Sequence, residues 1–246
     1  MKVLVCIKRV PETGARITLT ADEQEIDTSF LGFTISPHEE CAVEEALRIA
    51  GGETTVLTLG PAAAEEQLRN ALAMGIGSAI LLETDGREWG PEATARAIAD
   101  AVREGGFDLL LFGNESADSG GYQVGIRVAH LLGLPCVTGI KGIDFADGAA
   151  TVRREVGGGW EIFDVSLPAV LTVKEGINLP RYPSLPGRIK AKKAEITRVD
   201  PEWVAGGLEK VRLVVPQEEA SQVEILGEGA AAAPRLVEVL KEIGVA

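Results

Sequence analysis

A chain of 246 residues, 46% hydrophobic and 25% charged, can bury a full core and has the composition of a soluble globular protein. Its formal net charge of −13 leaves no broad basic face, so neither nucleic acid nor an anionic membrane is an expected partner. Three cysteines, Cys6, Cys41 and Cys136, lack C-x-x-C spacing, which argues against a disulfide framework or a cysteine zinc site and for a reducing cytoplasm. The two histidines, His38 and His130, are too few for a histidine-built metal site. No apolar run approaches a membrane span, so no membrane insertion is expected, and the strand-like MKVLVCIKRV does not read as a cleavable signal.

In chain order, Lys2 to Val10, which begins with the apolar run Val3 to Ile7, reads as a first buried strand ended by Pro11 and Gly14. Ile17 to Leu19 and Glu25 to Phe33 read as a small hairpin excursion. Ser36-Pro37 predicts a helix start, with Ser as N-cap, Pro in the first turn and Glu39 and Glu40 complementing the dipole; Gly51-Gly52 ends it. Strands are predicted at Thr54 to Leu59, Ala79 to Leu82 and Phe107 to Phe112. The helices between them start near Ala62 and at Pro91. This alternation calls for a doubly wound, mostly parallel sheet with right-handed crossovers, whose ligands sit beyond the carboxyl ends of the strands. The loops near Cys6, Ser36, Leu59 and Asp118 then share one edge.

The segment FDLLLFGNESADSGGYQVGIRVAHLLGLP, Phe107 to Pro135, places a strand, a loop of small polar residues and a helix in succession. Ser116, Asp118, Ser119, Gly120 and Gly121 permit tight turns that leave amides unpaired, and the helix after Gln123 adds the positive end of its dipole. That combination suits a phosphate. It is neither a Walker loop nor a G-x-G-x-x-G fingerprint, and an ordinary strand-to-helix connection has the same outline.

After Pro135 three strand-like stretches, Val137 to Phe145, Ala149 to Glu155 and Trp160 to Val165, predict an antiparallel meander that extends the sheet, with a turn at Asp147-Gly148. Ala169 to Val173 is a further strand. In NLPRYPSLPGRIKAKK, residues 178–193, Pro180, Pro183, Pro186 and Gly187 forbid a regular helix or central strand over about eight residues. Leu185 between prolines, with Arg181, Arg188 and three lysines in an acidic chain, marks a docking loop. Val211 to Gln222 reads as one exposed strand, and Arg235 to Ile243 as a short amphipathic helix. A tail of this kind buries little against its own domain and is expected to wrap a partner.

VLVCIKRV, SPHEECAVEEAL, the Asp118 loop with Gln123 and Gly125, and above all LPAVLTVKEGINLPRYPSLPGRIKAKK resemble the β (small) subunit family of the electron transfer flavoproteins, from Val3 to Ile243. The resemblance implies an adenine nucleotide α hydrolase-like, Rossmann-like α/β domain at residues 1–198, with added antiparallel strands and the recognition loop at 178–193. An extended C-terminal arm at 199–246 wraps the partner, the α subunit. It implies a structural AMP held by Asp118, Ser119, Gly120, Gly121 and Tyr122, by Gln123, Val124 and Gly125, and by Cys6, Ser36, Pro37, His38, Glu39 and Leu59. FAD would be held mainly by the α subunit, with Thr13 and His38 near its ring. Electrons would come from dehydrogenases of the acyl-CoA type and leave through a quinone oxidoreductase, with no catalytic residue in this chain. Tyr182, Leu185, Pro186 and Ile189 would dock the dehydrogenase, and Glu155 would pair with the mobile flavin domain.

Three departures stand out. His38 occupies a position that is commonly aromatic in the family, Ser36 stands where Asn often precedes the Pro, and Ser119 to Tyr122 follows neither the AMP-binding nor the FAD-binding version of the loop. Two alternatives therefore stay open: an FAD-binding β subunit of an electron-bifurcating flavoprotein, and a stand-alone adenine-nucleotide-binding protein.

Overall fold

The computed structural model describes residues 1–49, 52–146, 148–205, 207–216 and 223–245. Strand β1 (Val3–Ile7) is buried along its whole length. A run apolar on both faces is stable only where helices cover both sides of a sheet. Val3, Val5 and Ile7 enter one apolar cluster, while Leu4 and Cys6 enter the other. That is the period-two alternation of a pleated strand.

The chain then makes the expected excursion. Short strands β2 (Val10–Pro11) and β3 (Phe33–Thr34) pair antiparallel, and Leu19 bridges Ile26 between them. Helix α1 (Pro37–Ile49) crosses to β4 (Thr54–Gly60); a 3-10 turn (Ala62–Ala64) and α2 (Glu65–Met74) lead to β5 (Ser78–Glu83). From there α3 (Pro91–Val102) carries the chain back over β1 to β6 (Leu109–Gly113), and α4 (Val124–Leu132) follows. Strands β7 (Cys136–Ala146), β8 (Ala149–Val156) and β9 (Gly159–Ser166) form the meander, and β10 (Ala169–Val173) returns between β6 and β7. Of the expected turn at Asp147-Gly148 and stop at Gly51-Gly52, Asp147 and Gly51 lie outside the described residues.

The nine-stranded order is β11-β5-β4-β1-β6-β10-β7-β8-β9, where β11 is Thr197–Val199. All neighbours from β11 to β7 are parallel, and the last two pairings are antiparallel. Helices α1 and α2 cover the face of Val3 and Leu111; α3 and α4 cover the face of Cys6 and Phe112. Because β4 and β6 flank β1 and are entered in opposite directions, the strand order reverses between β1 and β6. In doubly wound sheets a crevice opens at such a reversal, beyond the carboxyl ends of the strands.

Two expectations need correction. The 178–193 segment is not irregular throughout, since helix α5 (Leu185–Lys193) occupies its second half. Pro186 sits in the first turn, where its missing N–H costs nothing, and the Ser184 hydroxyl accepts from the Gly187 amide at 3.1 Å as an N-cap. Arg69 closes the other end by donating to Ala191 O at 2.5 Å and Ala194 O at 3.3 Å. The second concerns Val211 to Gln222: residues 211–216 form no strand, and 217–222 lie outside the described residues. Instead, Leu213 N donates to Glu23 O at 2.8 Å, and Lys210 bridges Glu25 and Glu88 at 3.1 and 3.0 Å. This part of the tail thus lies on the excursion of its own chain, while α6 (Ala233–Glu242) buries no residue.

Candidate functional site

The crevice between β1 and β6 is built by four converging loops. Residues 114–123, after β6, supply the floor. Their start is fixed by Asn114, whose amide donates to Val173 O at 2.9 Å and whose Oδ1 accepts from the Thr172 hydroxyl at 2.7 Å. Further along, Ser116 and Ser119 hydroxyls lie 2.9 Å apart, and the Ser119 amide donates to Asp118 Oδ1 at 2.7 Å. Gly120 and Tyr122 adopt φ of +54° and +55°, and for a tyrosine that backbone is strained. The consequence is directional. Among the described residues, the amides of Gly121 through Ile126 donate to no protein acceptor, and α4 has no side-chain N-cap. Six successive unpaired donors at a helix N-terminus make an oxyanion cradle.

Lysine comes to this loop from β1. Lys8 Nζ lies 2.6 Å from Asp118 Oδ2 and 3.4 Å from Ser119 Oγ. Burial raises the Asp118 pKa, but hydrogen bonds from Lys8 and Ser116 outweigh it and hold the carboxyl below its ordinary value. Asp118 therefore stays ionised against Lys8.

The α1 N-terminus forms the adjoining wall. Glu39 Oε2 accepts from the Ser36 amide at 3.0 Å, which is half of a capping box. The other half is not made, because the Ser36 hydroxyl accepts from Ala117 N at 3.0 Å and ties the two loops together. Ser36 thus serves its own helix through its backbone and Glu39, and the β6 loop through its hydroxyl. Gly113 permits this approach: a Cβ there would meet Glu39 Cγ at 2.6 Å. Gly125 does the same for α4, where a Cβ would fall 2.9 Å from Thr172 Cγ2. Burial pushes the Glu39 carboxyl up to about 8, against opposing hydrogen bonds from Ser36 and Lys8. Burial, aided by Glu39, likewise keeps the Cys6 thiol protonated, so it is no nucleophile.

Cys6, Leu59 and Val124 join one apolar cluster with Phe112 on the α3–α4 face. The structure therefore gathers Cys6, Ser36, Glu39 and the 118–125 loop around one crevice edge, with a polar cradle beside an apolar wall. Leu59 reaches it at the end of β4, and Pro37 begins α1. His38, in the first turn of α1, links two loops: its Nε2 lies 3.3 Å from Glu115 Oε1 and its Nδ1 accepts from the Glu175 amide at 3.4 Å. Thr13 is exposed on the excursion. Lys8 is the residue that the sequence reading left out. Its signal was a Lys-Arg pair at the end of a central strand in an acidic chain.

The expected docking residues form a separate group. Tyr182, Leu185 and Ile189 are 94%, 73% and 54% exposed, and Leu185 and Ile189 share a face of α5 one turn apart. The base of this group is rigid. Glu44 on α1 is buried and accepts from Arg181 Nε, Nη2 and backbone N at 2.8, 3.0 and 3.1 Å. Burial alone would raise the Glu44 carboxyl, but Arg181 and Arg48 hold it down to about 2. Glu155, on β8, is already paired with Lys141 at 2.6 Å. Two surface depressions of about 490 and 500 Å³ lie elsewhere, around Leu167-Pro168 and between α2 and α5. Neither is lined by the unpaired amides, so the crevice remains the better candidate.

A family model described as "Electron transfer flavoprotein domain" matches residues 26–203. The chain is 34% identical to the electron transfer flavoprotein subunit beta of Syntrophomonas wolfei, over 98% of this chain and 96% of that one. It is also 34% identical to the same subunit of Bacillus subtilis, over 98% of both chains. The subunit of Mycobacterium tuberculosis is 38% identical over 79% of this chain and 77% of its own.

Proposed function

The chain belongs to the electron transfer flavoprotein family, on the β-subunit side, and from that premise we propose that it is the non-catalytic half of a heterodimer with an α subunit. In this reading it holds a structural AMP, while FAD, held mainly by the α subunit, supplies the electron chemistry when bound. The heterodimer takes electrons from dehydrogenases of the acyl-CoA type and hands them towards a quinone oxidoreductase.

The observation that carries the nucleotide is the row of six amides without acceptors at the head of α4. A phosphate there satisfies donors that the protein leaves open, and Lys8 offsets the charge of Asp118 beside them. The apolar side, with Cys6, Leu59 and Val124, suits the flat face of a base. The cradle presents no activated nucleophile among the described residues: the Cys6 thiol is buried and protonated, and Lys8 is paired with Asp118. The role of the cradle is to fix a phosphate and thereby stiffen the Glu115 loop against His38 of α1.

The electron donor docks through Leu185 and Ile189, presented on a helix whose base is clamped to α1 and α2. Large exposed apolar side chains on a rigid support are the usual anchors of a protein interface.

The test is to co-purify the chain with its α subunit, denature the complex and separate the released nucleotides. One AMP and one FAD per heterodimer is the expected result. Two FAD would make this an electron-bifurcating β subunit instead, and a chain that purifies alone with its nucleotide would sink the heterodimer reading.

A further inference from the structure

Strand β1 ends in two adjacent cations that diverge. Lys8 reaches the loop before α4 and finds Asp118. Arg9 turns to the excursion, where its guanidinium carbon sits 3.2 Å from the centre of the Phe33 ring. Among the described residues Arg9 makes no hydrogen bond or ion pair, and its Nε is buried without an acceptor. Burial lowers its pKa, with Glu66 opposing from outside ion-pair distance. The neighbouring Gln67 is in a similar position. It is 1% exposed and donates Nε2 to Phe33 O at 3.3 Å, but its Oε1 has no partner.

A part-buried guanidinium without an acid is costly, because a charged donor has lost water and gained nothing in exchange. Stacking on Phe33 recovers part of that cost, since a guanidinium over an aromatic face is attracted by the ring quadrupole. It also fixes the plane, so the remaining N–H fork is preset for one oxyanion held by two parallel bonds. The same excursion carries Phe30, 98% exposed. An exposed aromatic on the excursion and an arginine stacked against Phe33 have the composition of a protein interface more than of a solvated loop. A free phosphate fits less well, because the chain's net charge of −13 and the nearby Glu66 oppose a dianion more than a single carboxylate.

We propose that Arg9 is an interface cation, completed by a carboxylate that the partner subunit brings against the excursion at residues 12–33. This rests on the heterodimer reading above. The carboxylate takes the free fork, Phe33 keeps the guanidinium in plane, and Phe30 is covered by the same approach.

The experiment follows the Arg9 Nε–H signal in the full chain labelled with ¹⁵N-arginine, assigned by its disappearance in Arg9→Lys. The signal is recorded for the free chain, for the free chain with inorganic phosphate, and for the heterodimer. Assembly should shift the signal downfield and slow its exchange with water. Arg9→Gln should weaken assembly about tenfold at low salt, with the gap closing at high salt and the free chain's Tm little changed. A heterodimer that forms with the Arg9 signal unmoved overturns this inference alone. A saturable shift with phosphate before any partner is added overturns it in favour of a small oxyanion. Absence of any heterodimer overturns both this and the heterodimer reading.

Discussion

Glu39 answers to two opposing demands. Its carboxylate accepts from the Ser36 amide at the start of α1, yet it is 6% exposed, and burial pushes its pKa up to about 8 from an ordinary 4.5. A group that binds its proton more tightly when folded gives its full stabilisation below the unfolded pKa and loses it as pH rises through the folded one. The chain should therefore lose stability from this residue between pH 4.5 and 8. Glu39→Gln mimics the protonated form and should remove that dependence. The expected outcome is a Tm advantage for the variant that is small at pH 5 and grows towards pH 8. The underlying stability difference should reach on the order of several kcal/mol, since a tenfold change in proton affinity is worth about 1.4 kcal/mol. Equal Tm differences at both pH values would place the charge elsewhere. At this scale the sequence marked Glu39 as a complement to the helix dipole and, through the family resemblance, as a nucleotide-binding residue, but not as a buried acid. Its burial comes from Gly113, seventy-odd positions away, which lets α1 settle onto the end of β6. Tyr122 is a similar case: its identity was read, but its φ of +55° follows from how the loop closes between β6 and α4.

The 178–193 segment shows what an element can hide. Three prolines and a glycine mark irregular chain, and for residues 178–184 that reading holds. The same residues also start a helix, because Ser184 caps it and Pro186 is compatible with a first turn. Gly187 then lets the helix touch α2: a Cβ at that position would stand 2.3 Å from Ala73 O. Gly187→Ala must push α5 away from α2, so it should lower stability by roughly 1–3 kcal/mol and weaken dehydrogenase docking with it. Leu185→Ala removes an apolar side chain that is 73% exposed, so stability should hold within about 0.5 kcal/mol while electron transfer from the dehydrogenase slows. Thermal melts and reduction kinetics on the two variants separate a supporting residue from an anchoring one. If Leu185→Ala lowers Tm as much as Gly187→Ala does, Leu185 is structural. Strand β11 escaped sequence reading because three exposed residues carry no alternation; their place is set by pairing with β5 and by Arg198 reaching Glu65 and Glu83.

For the molecule as a whole, the site is a property of the strand order. The cradle sits where the chain reverses between β1 and β6, so a ligand there ties together loops from opposite halves of the sheet. Stripping the nucleotide from the purified complex should therefore lower the Tm of the β subunit. A ligand present at 100 times its Kd contributes about 2.7 kcal/mol, or roughly 5–10 °C for a domain of this size. Calorimetry before and after stripping checks this, and restoring AMP should recover the loss. An unchanged Tm would mean that the amides of the loop do not hold the ligand.

What the sequence determined by itself was the succession of strands and helices, the small polar loop ahead of α4 and the family to which the chain belongs. Those features depend on local chemistry: buried runs such as Val3 to Ile7, capping residues, and glycines where the backbone turns. Tertiary structure alone decided that Lys8 meets Asp118 across 110 positions, that the Ser36 hydroxyl leaves its own helix for Ala117, and that Arg9 is left without an acid. Such pairings link residues far apart in the chain, and only the order in which the sheet assembles its strands brings them within hydrogen-bond reach.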